Sequence, residues 1–506
     1  MASRNKVLLI VLDGWGHREE REHNAIAEAE TPYFDHLWTT YPHALLEASG
    51  EAVGLPEGQM GNSEVGHTTI GAGRVIYTDF VKISKSIREG TFGHNEAIIT
   101  LFDHIKEHNS TLHLQSLIGP GGVHSHIDHL YAALRAAKAA GITKVAIHAF
   151  SDGRDTPPQS GAGYLSDLES MIEDLGIGFI ATVTGRFYAM DRDNNWDRLK
   201  IAEDAIFKGI GVSKKMKPSA ALHELYREDI VDEHIKPIIF LDQDDKSWQI
   251  EPNDGIFMLN FRSDRARMLA KNLIEKQEEM NLAIVTMTEY DKKFNSLVAF
   301  MPEEAETTLA QEIAESELTQ EHIAETEKFA HATYFLNGGE ETPHRHEKHT
   351  LVKSRKDVDT HDLAPEMKAA EITEKTLESI KDGTDLIFVN YANPDMVGHT
   401  ANKDALLQAI SFVDQQLKQV TDAALENSYA VLVTADHGNA EIYFDKTNNE
   451  KHTAHTIDPV PLILVSNKIQ VKKIDSGSLR DIAPTILSIL DLKVPDTMTG
   501  QNLIKK

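Results

Sequence analysis

The residues with the strongest chemical suggestion lie near the two ends of the chain. In Asp395-Met396-Val397-Gly398-His399 a carboxylate and an imidazole stand four residues apart. On a helical turn that spacing points both side chains to one face, where they can grip one metal ion. His455, in Thr453-Ala454-His455-Thr456, can supply a third ligand to the same site. Asp436 and His437 are adjacent, so they are expected to face different directions and to suit two neighbouring metals better than one. Asp13 in LDGWG adds a further carboxylate. Taken singly, each of these also fits a surface position or a hydrogen-bonded core position.

Ser63 stands between two glycines in Met60-Gly61-Asn62-Ser63-Glu64-Val65-Gly66-His67, where a loop can give way to a helix N-terminus. Glycine allows close approach of the backbone to an anion, and the free N–H groups of a helix start favour negative charge. A plain turn with serine as an N-cap fits the same residues. With no cysteine in the chain, a serine activated as an alkoxide by a metal is the available nucleophile. A set of arginines follows: Arg154 beside Asp155 in SDGRDTPP, Arg186 and Arg192 in GRFYAMDRD, Arg262 and Arg265 in NFRSDRAR. Guanidinium groups hold phosphate and carboxylate oxygens bidentately, so this set suits a small dianion. His124 in GGVHSH is a candidate anion contact or proton donor, and equally a satisfied loop histidine.

The elements that must position these groups can be read from the apolar runs. Residues 6–12, 385–390 and 429–434 read as buried strands of a parallel sheet, and Asp13, Asp395 and the Asp436-His437 pair follow their carboxyl ends. Residues 144–150, 178–183 and 256–259 are strand-like too, and their ends carry arginine. Helical patterns over 129–140 and 404–421 complete an α/β class. The ligand-type residues come from both chain ends and the cations from the middle. The expected organisation is therefore a discontinuous domain, 1–77 with 303–506, interrupted by a second inserted α/β domain at 78–302. The acidic stretch 302–327 reads as a solvated helical face or linker.

At 506 residues, two domains are expected. The N-terminal apolar run 7–12 is too short for an export signal, and no run of about 18 apolar residues is present, so a cytoplasmic protein that avoids membranes is expected. A net charge of -28 disfavours nucleic acid and anionic membranes, and allows a phosphate ester only where cations are gathered locally.

The motifs LDGWG, GNSEVGHTTIGAGR, GGVHSH, SDGRDTPP, GRFYAMDRD, NFRSDRAR, NYANPDMVGHT, TADHGNAE and HTAHT occur in this order. In this the chain resembles the cofactor-independent (2,3-bisphosphoglycerate-independent) phosphoglycerate mutases, over nearly its whole length. The resemblance implies an alkaline-phosphatase-like metal domain interrupted by a transferase domain. It also implies interconversion of 3-phosphoglycerate and 2-phosphoglycerate through a phosphorylated Ser63. By similarity, Asp395, His399 and His455 would hold one Mn2+, or another divalent metal, and Asp13, Ser63, Asp436 and His437 a second. His124, Arg154, Asp155, Arg186, Arg192, Arg262, Arg265 and Lys328 would bind phosphoglycerate, with Asp155 shuttling the hydroxyl proton. The expected partner is this small molecule, with no nucleic acid, no membrane and a monomeric chain. Between 340 and 361, PHRHEKHTLVKSRKDVDTH departs from the family's more common acidic loop, and a solvated loop is expected there. A phosphomonoesterase or phosphopentomutase of the same superfamily would share the metals and serine. The inserted arginines argue against the former and their fit to a carboxylate against the latter. A non-catalytic relic would be expected to have lost a ligand.

Overall fold

The computed structural model describes residues 5–469, 471 and 473–505. The chain divides into two compact units, Met1–Thr78 with Glu303–Lys506, and Asp79–Pro302.

The first unit is built on an eight-stranded sheet. Its order is Glu347–Val352, Gln320–Glu325, Leu386–Tyr391, Lys6–Leu12, Tyr429–Thr434, Val460–Val465, His43–Glu47 and Gly477–Ser478. The first five strands run parallel. Val7 to Leu12 are fully buried, as expected of strands covered on both faces. Register aligns their ends, since Leu12 pairs with Tyr391 and Val11 with Thr434, so the residues just past each strand emerge side by side. The turn after Lys6–Leu12 requires glycine: Gly14 has φ +76°, and a Cβ there would lie 2.8 Å from the Cα of Asp395.

Two expectations fail in this sheet. Residues 320–325 form a fully buried strand rather than a solvated face. The sequence QEHIAE looks polar, but each of its polar residues finds a hydrogen-bond partner elsewhere in the unit, although Gln320 Oε1 and Glu325 Oε1 stay unpaired. Gln320 Nε2 donates to the Ala310 carbonyl at 2.7 Å, Glu321 accepts from Thr350 Oγ1 at 2.6 Å, and Glu325 accepts from the Lys368 N–H at 3.1 Å. The segment expected as a solvated loop contains the strand Glu347–Val352, which pairs in parallel with Gln320–Glu325.

The second unit carries its own eight-stranded sheet, ordered Leu297–Phe300, Ala283–Thr288, Gly255–Met258, Leu112–Leu117, Val145–Ser151, Phe179–Gly185, Ile238–Phe240 and Val212–Lys214. The first six strands are parallel. Helices Glu96–His108, Ile127–Ala139 and Gly161–Leu175 bury their apolar faces in the same core. Among the described residues no helix is long and apolar enough to cross a membrane.

Candidate active site

In the first unit, Ser63 is the first residue of helix Ser63–Ala72. Asn62, not Ser63, is the N-cap: its Oδ1 accepts the Val65 N–H at 3.1 Å. Ser63 Oγ is thereby left for other contacts. It lies 3.4 Å from Asp13 Oδ1 and 3.0 Å from His437 Nε2, and it accepts from Lys328 Nζ at 2.6 Å.

Asp395 lies in helix Asn393–Gly398, and His399 caps it. His399 Nε2 and His455 Nε2 stand 3.3 and 3.2 Å from Asp395 Oδ1, and 3.3 Å from each other. Their Nδ1 atoms face the carbonyls of Thr453 and Gly61 at 2.8 and 2.9 Å. This puts the proton on Nδ1 and turns both Nε2 lone pairs inward, the tautomer a metal ligand needs. Asp13, Asp436 and His437 form a second converging group. The expectation that Asp436 and His437 face apart is corrected here, because His437 Nε2 is 3.4 Å from Asp436 Oδ2. The chain turns sharply after strand Tyr429–Thr434, where Asp436 Oδ1 accepts the N–H groups of His437 and Gly14, and the two side chains fold back together.

Lys328 follows the end of strand Gln320–Glu325, inside this cluster. Its ammonium reaches Asp13 Oδ1 and Asp395 Oδ2, each at 2.6 Å. Burial alone would lower its pKa, but Asp13, Asp395 and Asp436 overturn that and raise it. Burial would likewise raise Asp395, and the Lys328 ammonium with the neighbouring imidazoles holds it well below the usual carboxylate range. Asp13 is pushed up, first by burial and then by Asp436. The Asp395 carboxylate raises the proton affinity of His399, and of His455 against the effect of burial.

Three buried carboxylates thus share one ammonium, and Asp436 Oδ2 is buried without a hydrogen bond. The cluster is short of positive charge, and its carboxylate, imidazole and hydroxyl donors are those of a divalent metal site. The residues fit divalent cations.

Side chains that sequence reasoning passed over support these groups. Asn390 Nδ2 donates to Asp13 Oδ2 at 2.8 Å and lies 3.1 Å from His67 Nε2. His67 Nδ1 therefore carries the proton, 2.9 Å from the Ser63 carbonyl and 3.3 Å from Asp436 Oδ2. Asn439 Nδ2 donates to Asp395 Oδ1 at 2.9 Å. One signal was available, since His67 follows Ser63 at the same four-residue spacing as Asp395 and His399.

The second unit gathers the remaining predicted residues beyond its parallel strands. Arg186, buried, donates from Nη1 to Asp152 Oδ1 and Asp155 Oδ2, both at 2.6 Å. Asp264 collects Arg192 at 3.1 Å, Arg262 at 3.3 Å and His124 at 3.5 Å. Arg154 pairs with Glu233 at 2.7 Å. Arg265 donates to the Met190 carbonyl at 3.1 Å, and its pKa is lowered by burial and then by the guanidinium groups of Arg186, Arg192 and Arg154. Burial, followed by Arg186, pushes His124 down to about 4, so it is neutral near pH 7. Arg154, Arg186 and Arg192 thus lie close enough to Arg265 to lower its proton affinity, a local gathering of positive charge in an acidic chain. Asp152 and Asp264, which orient them, stand inside the quoted motifs SDGRD and NFRSDRAR.

A model of the metalloenzyme superfamily matches residues 5–494. A protein of Clostridium perfringens named 2,3-bisphosphoglycerate-independent phosphoglycerate mutase is 44% identical over the whole of both chains. One of Methanosarcina barkeri, 2,3-bisphosphoglycerate-independent phosphoglycerate mutase 1, is 44% identical over 100% of this chain and 99% of its own. A crystal structure of Leishmania mexicana phosphoglycerate mutase at low cobalt concentration is similar, with 28% identity, a TM-score of 0.54, and coverage of 99% of this chain and 98% of that chain.

Proposed function

Because the chain belongs to the metalloenzyme superfamily and, within it, to the 2,3-bisphosphoglycerate-independent phosphoglycerate mutases, we propose that it moves the phosphoryl group of phosphoglycerate between hydroxyls by way of Ser63. It is a metal-dependent mutase acting on a small molecule. The observation that carries the role of Ser63 is its Oγ, released from capping by Asn62 and set among Asp13, His437 and Lys328.

Two Mn2+ ions would be held by Asp395, His399 and His455, and by Asp13, Ser63, Asp436 and His437. Bound there, they would neutralise the transferring phosphoryl oxygens and lower the pKa of the serine hydroxyl. Ser63 Oγ forms a bond to phosphorus as the bond from phosphorus to the 3-oxygen of the substrate breaks, and the released hydroxyl takes a proton. Lys328, donating to Ser63 Oγ, stabilises that oxygen without its proton. The arginines of the second unit hold the carboxylate and phosphate oxygens of the substrate, and retain glycerate while Ser63 is phosphorylated. Glycerate turns, its 2-hydroxyl gives up a proton, and the phosphoryl group returns to the 2-oxygen. Asp155 is the proposed proton carrier, its carboxylate held by Arg186.

The test is incubation of metal-loaded protein with 3-phosphoglycerate, with and without added 2,3-bisphosphoglycerate, following 2-phosphoglycerate and free phosphate. Formation of 2-phosphoglycerate without the bisphosphate is expected, with little free phosphate. Ser63→Ala should reduce the rate at least about a thousandfold while binding of phosphoglycerate persists. Near-normal turnover in that variant would overturn the role of Ser63.

A further inference from the structure

The histidines of residues 340–361 take no part in the transfer chemistry, yet the fold gives them a definite setting. His349 is the register partner of His322, and Glu347 that of Gln320, in the parallel pair Gln320–Glu325 with Glu347–Val352. Side chains two apart on a strand share a face, so Glu347, His349 and His322 lie together. The rings of His322 and His349 are stacked with centroids 5.6 Å apart. The three residues each offer a donor atom within 4.8 Å of the others.

We propose that His322, Glu347 and His349 form a third cation site, separate from the catalytic group, for a divalent transition metal of the zinc class. Two imidazoles and a carboxylate are a recurrent zinc set, and imidazole favours zinc over manganese. The protonation states suit the role. Burial drives His322 down to about 4, so it stays neutral. Burial would raise Glu347, but His349, His322, Asn337 and the His344 N–H hold it down at about 2, an anion at neutral pH. His344, whose N–H donates to Glu347 at 2.6 Å, has a buried Nε2 with no hydrogen-bond partner.

Without a cation the group closes as a hydrogen-bonded network, with His349 Nε2 2.5 Å from Glu347 Oε1. Tetrahedral zinc needs donors about 3.4 Å apart, so that contact opens by about 1 Å and the Nε2 proton moves to Nδ1. His349 stands on the edge strand of the sheet. The site would brace the segment that carries Lys328. His322 Nδ1 is 3.0 Å from the Ala332 carbonyl, and the Phe329 ring meets His349 edge-on at 6.2 Å.

The experiment uses the full chain carrying Asp13→Asn and Asp395→Asn, which weaken both catalytic groups. It is stripped with chelator, exposed to Zn2+, separated from free metal, and its bound zinc is counted by mass spectrometry. One retained Zn2+ per chain is expected, falling to none when His349→Ala is added. No retained zinc, or zinc indifferent to His349→Ala, leaves a hydrogen-bonded network only and overturns the proposal. Should the starting variant fail to fold, the wild-type chain is compared with Glu347→Gln. One Zn2+ fewer in the latter is expected, and equal counts overturn the site.

Discussion

Replacing Lys328 by methionine tests the claim that the catalytic cluster lacks positive charge. Methionine conserves much of the side-chain volume, so the cavity cost is small and the loss is chiefly electrostatic. Lys328 is 3% exposed, and its ammonium meets two buried carboxylates, each at 2.6 Å. Removing one partner of such a group leaves uncompensated buried charge, at a cost of about 3–5 kcal/mol. For a unit of this size that lowers the melting temperature by roughly 6–10 °C. Scanning calorimetry in chelator is the assay, and the first unit should show the loss. Repeated with saturating Mn2+, the deficit should shrink, since cations bound to the same carboxylates restore the missing charge. Mn2+ should bind the variant at least as tightly as it binds the wild-type chain, because the competing ammonium is gone. Turnover should nevertheless collapse, since Lys328 also donates to Ser63 Oγ. Unchanged stability in chelator, or Mn2+ binding weakened tenfold, would refute the reasoning.

The arginines of the second unit should separate into two kinds. Arg262→Ala is expected to raise KM for phosphoglycerate tenfold or more with little effect on stability, because its side chain is half exposed and its pairing with Asp264 is worth little in water. Arg186→Ala should also destabilise the unit by about 3–5 kcal/mol, since it removes the counter-charge of the buried Asp152. Steady-state kinetics and denaturant titration on the two variants distinguish these outcomes. A pH effect is expected from His129, fully buried and lowered to about 3 by burial and then by His126. Its folded pKa lies below the unfolded value of about 6.5, so the unfolded chain takes up the proton first and stability is lost as pH falls below 6.5. Between pH 7 and pH 5 this amounts to about 2 kcal/mol. His129→Asn should flatten the acid slope of unfolding by that amount, and an unaltered slope would count against the assignment.

The strand Lys6–Leu12 was legible from its apolar run, and so was Tyr429–Thr434, because a strand covered on both faces is most simply buried when its own side chains are apolar. The spacing of Asp395 and His399 was legible for a similar reason: a helical turn puts residues four apart on one face whatever surrounds it. Ser63 at a helix start could be read from its flanking glycines, though its release from capping could not, since either Asn62 or Ser63 could have served. Gln320–Glu325 was misread because its burial depends on partners remote in sequence, Ala310, Thr350 and Lys368, which satisfy side chains that would otherwise need water. The strand Glu347–Val352 was missed with it, as an edge strand exists only by virtue of the neighbour it pairs with. Hence Lys328, positioned by that same strand end, could be named from its motif but not set beside Asp13 and Asp395. Local periodicity therefore determined the elements whose burial is written in their own residues. Tertiary structure alone decided the polar strands, the support given by His67, Asn390 and Asn439, and the one ammonium among three carboxylates, because each depends on groups that come together only when the sheet is assembled.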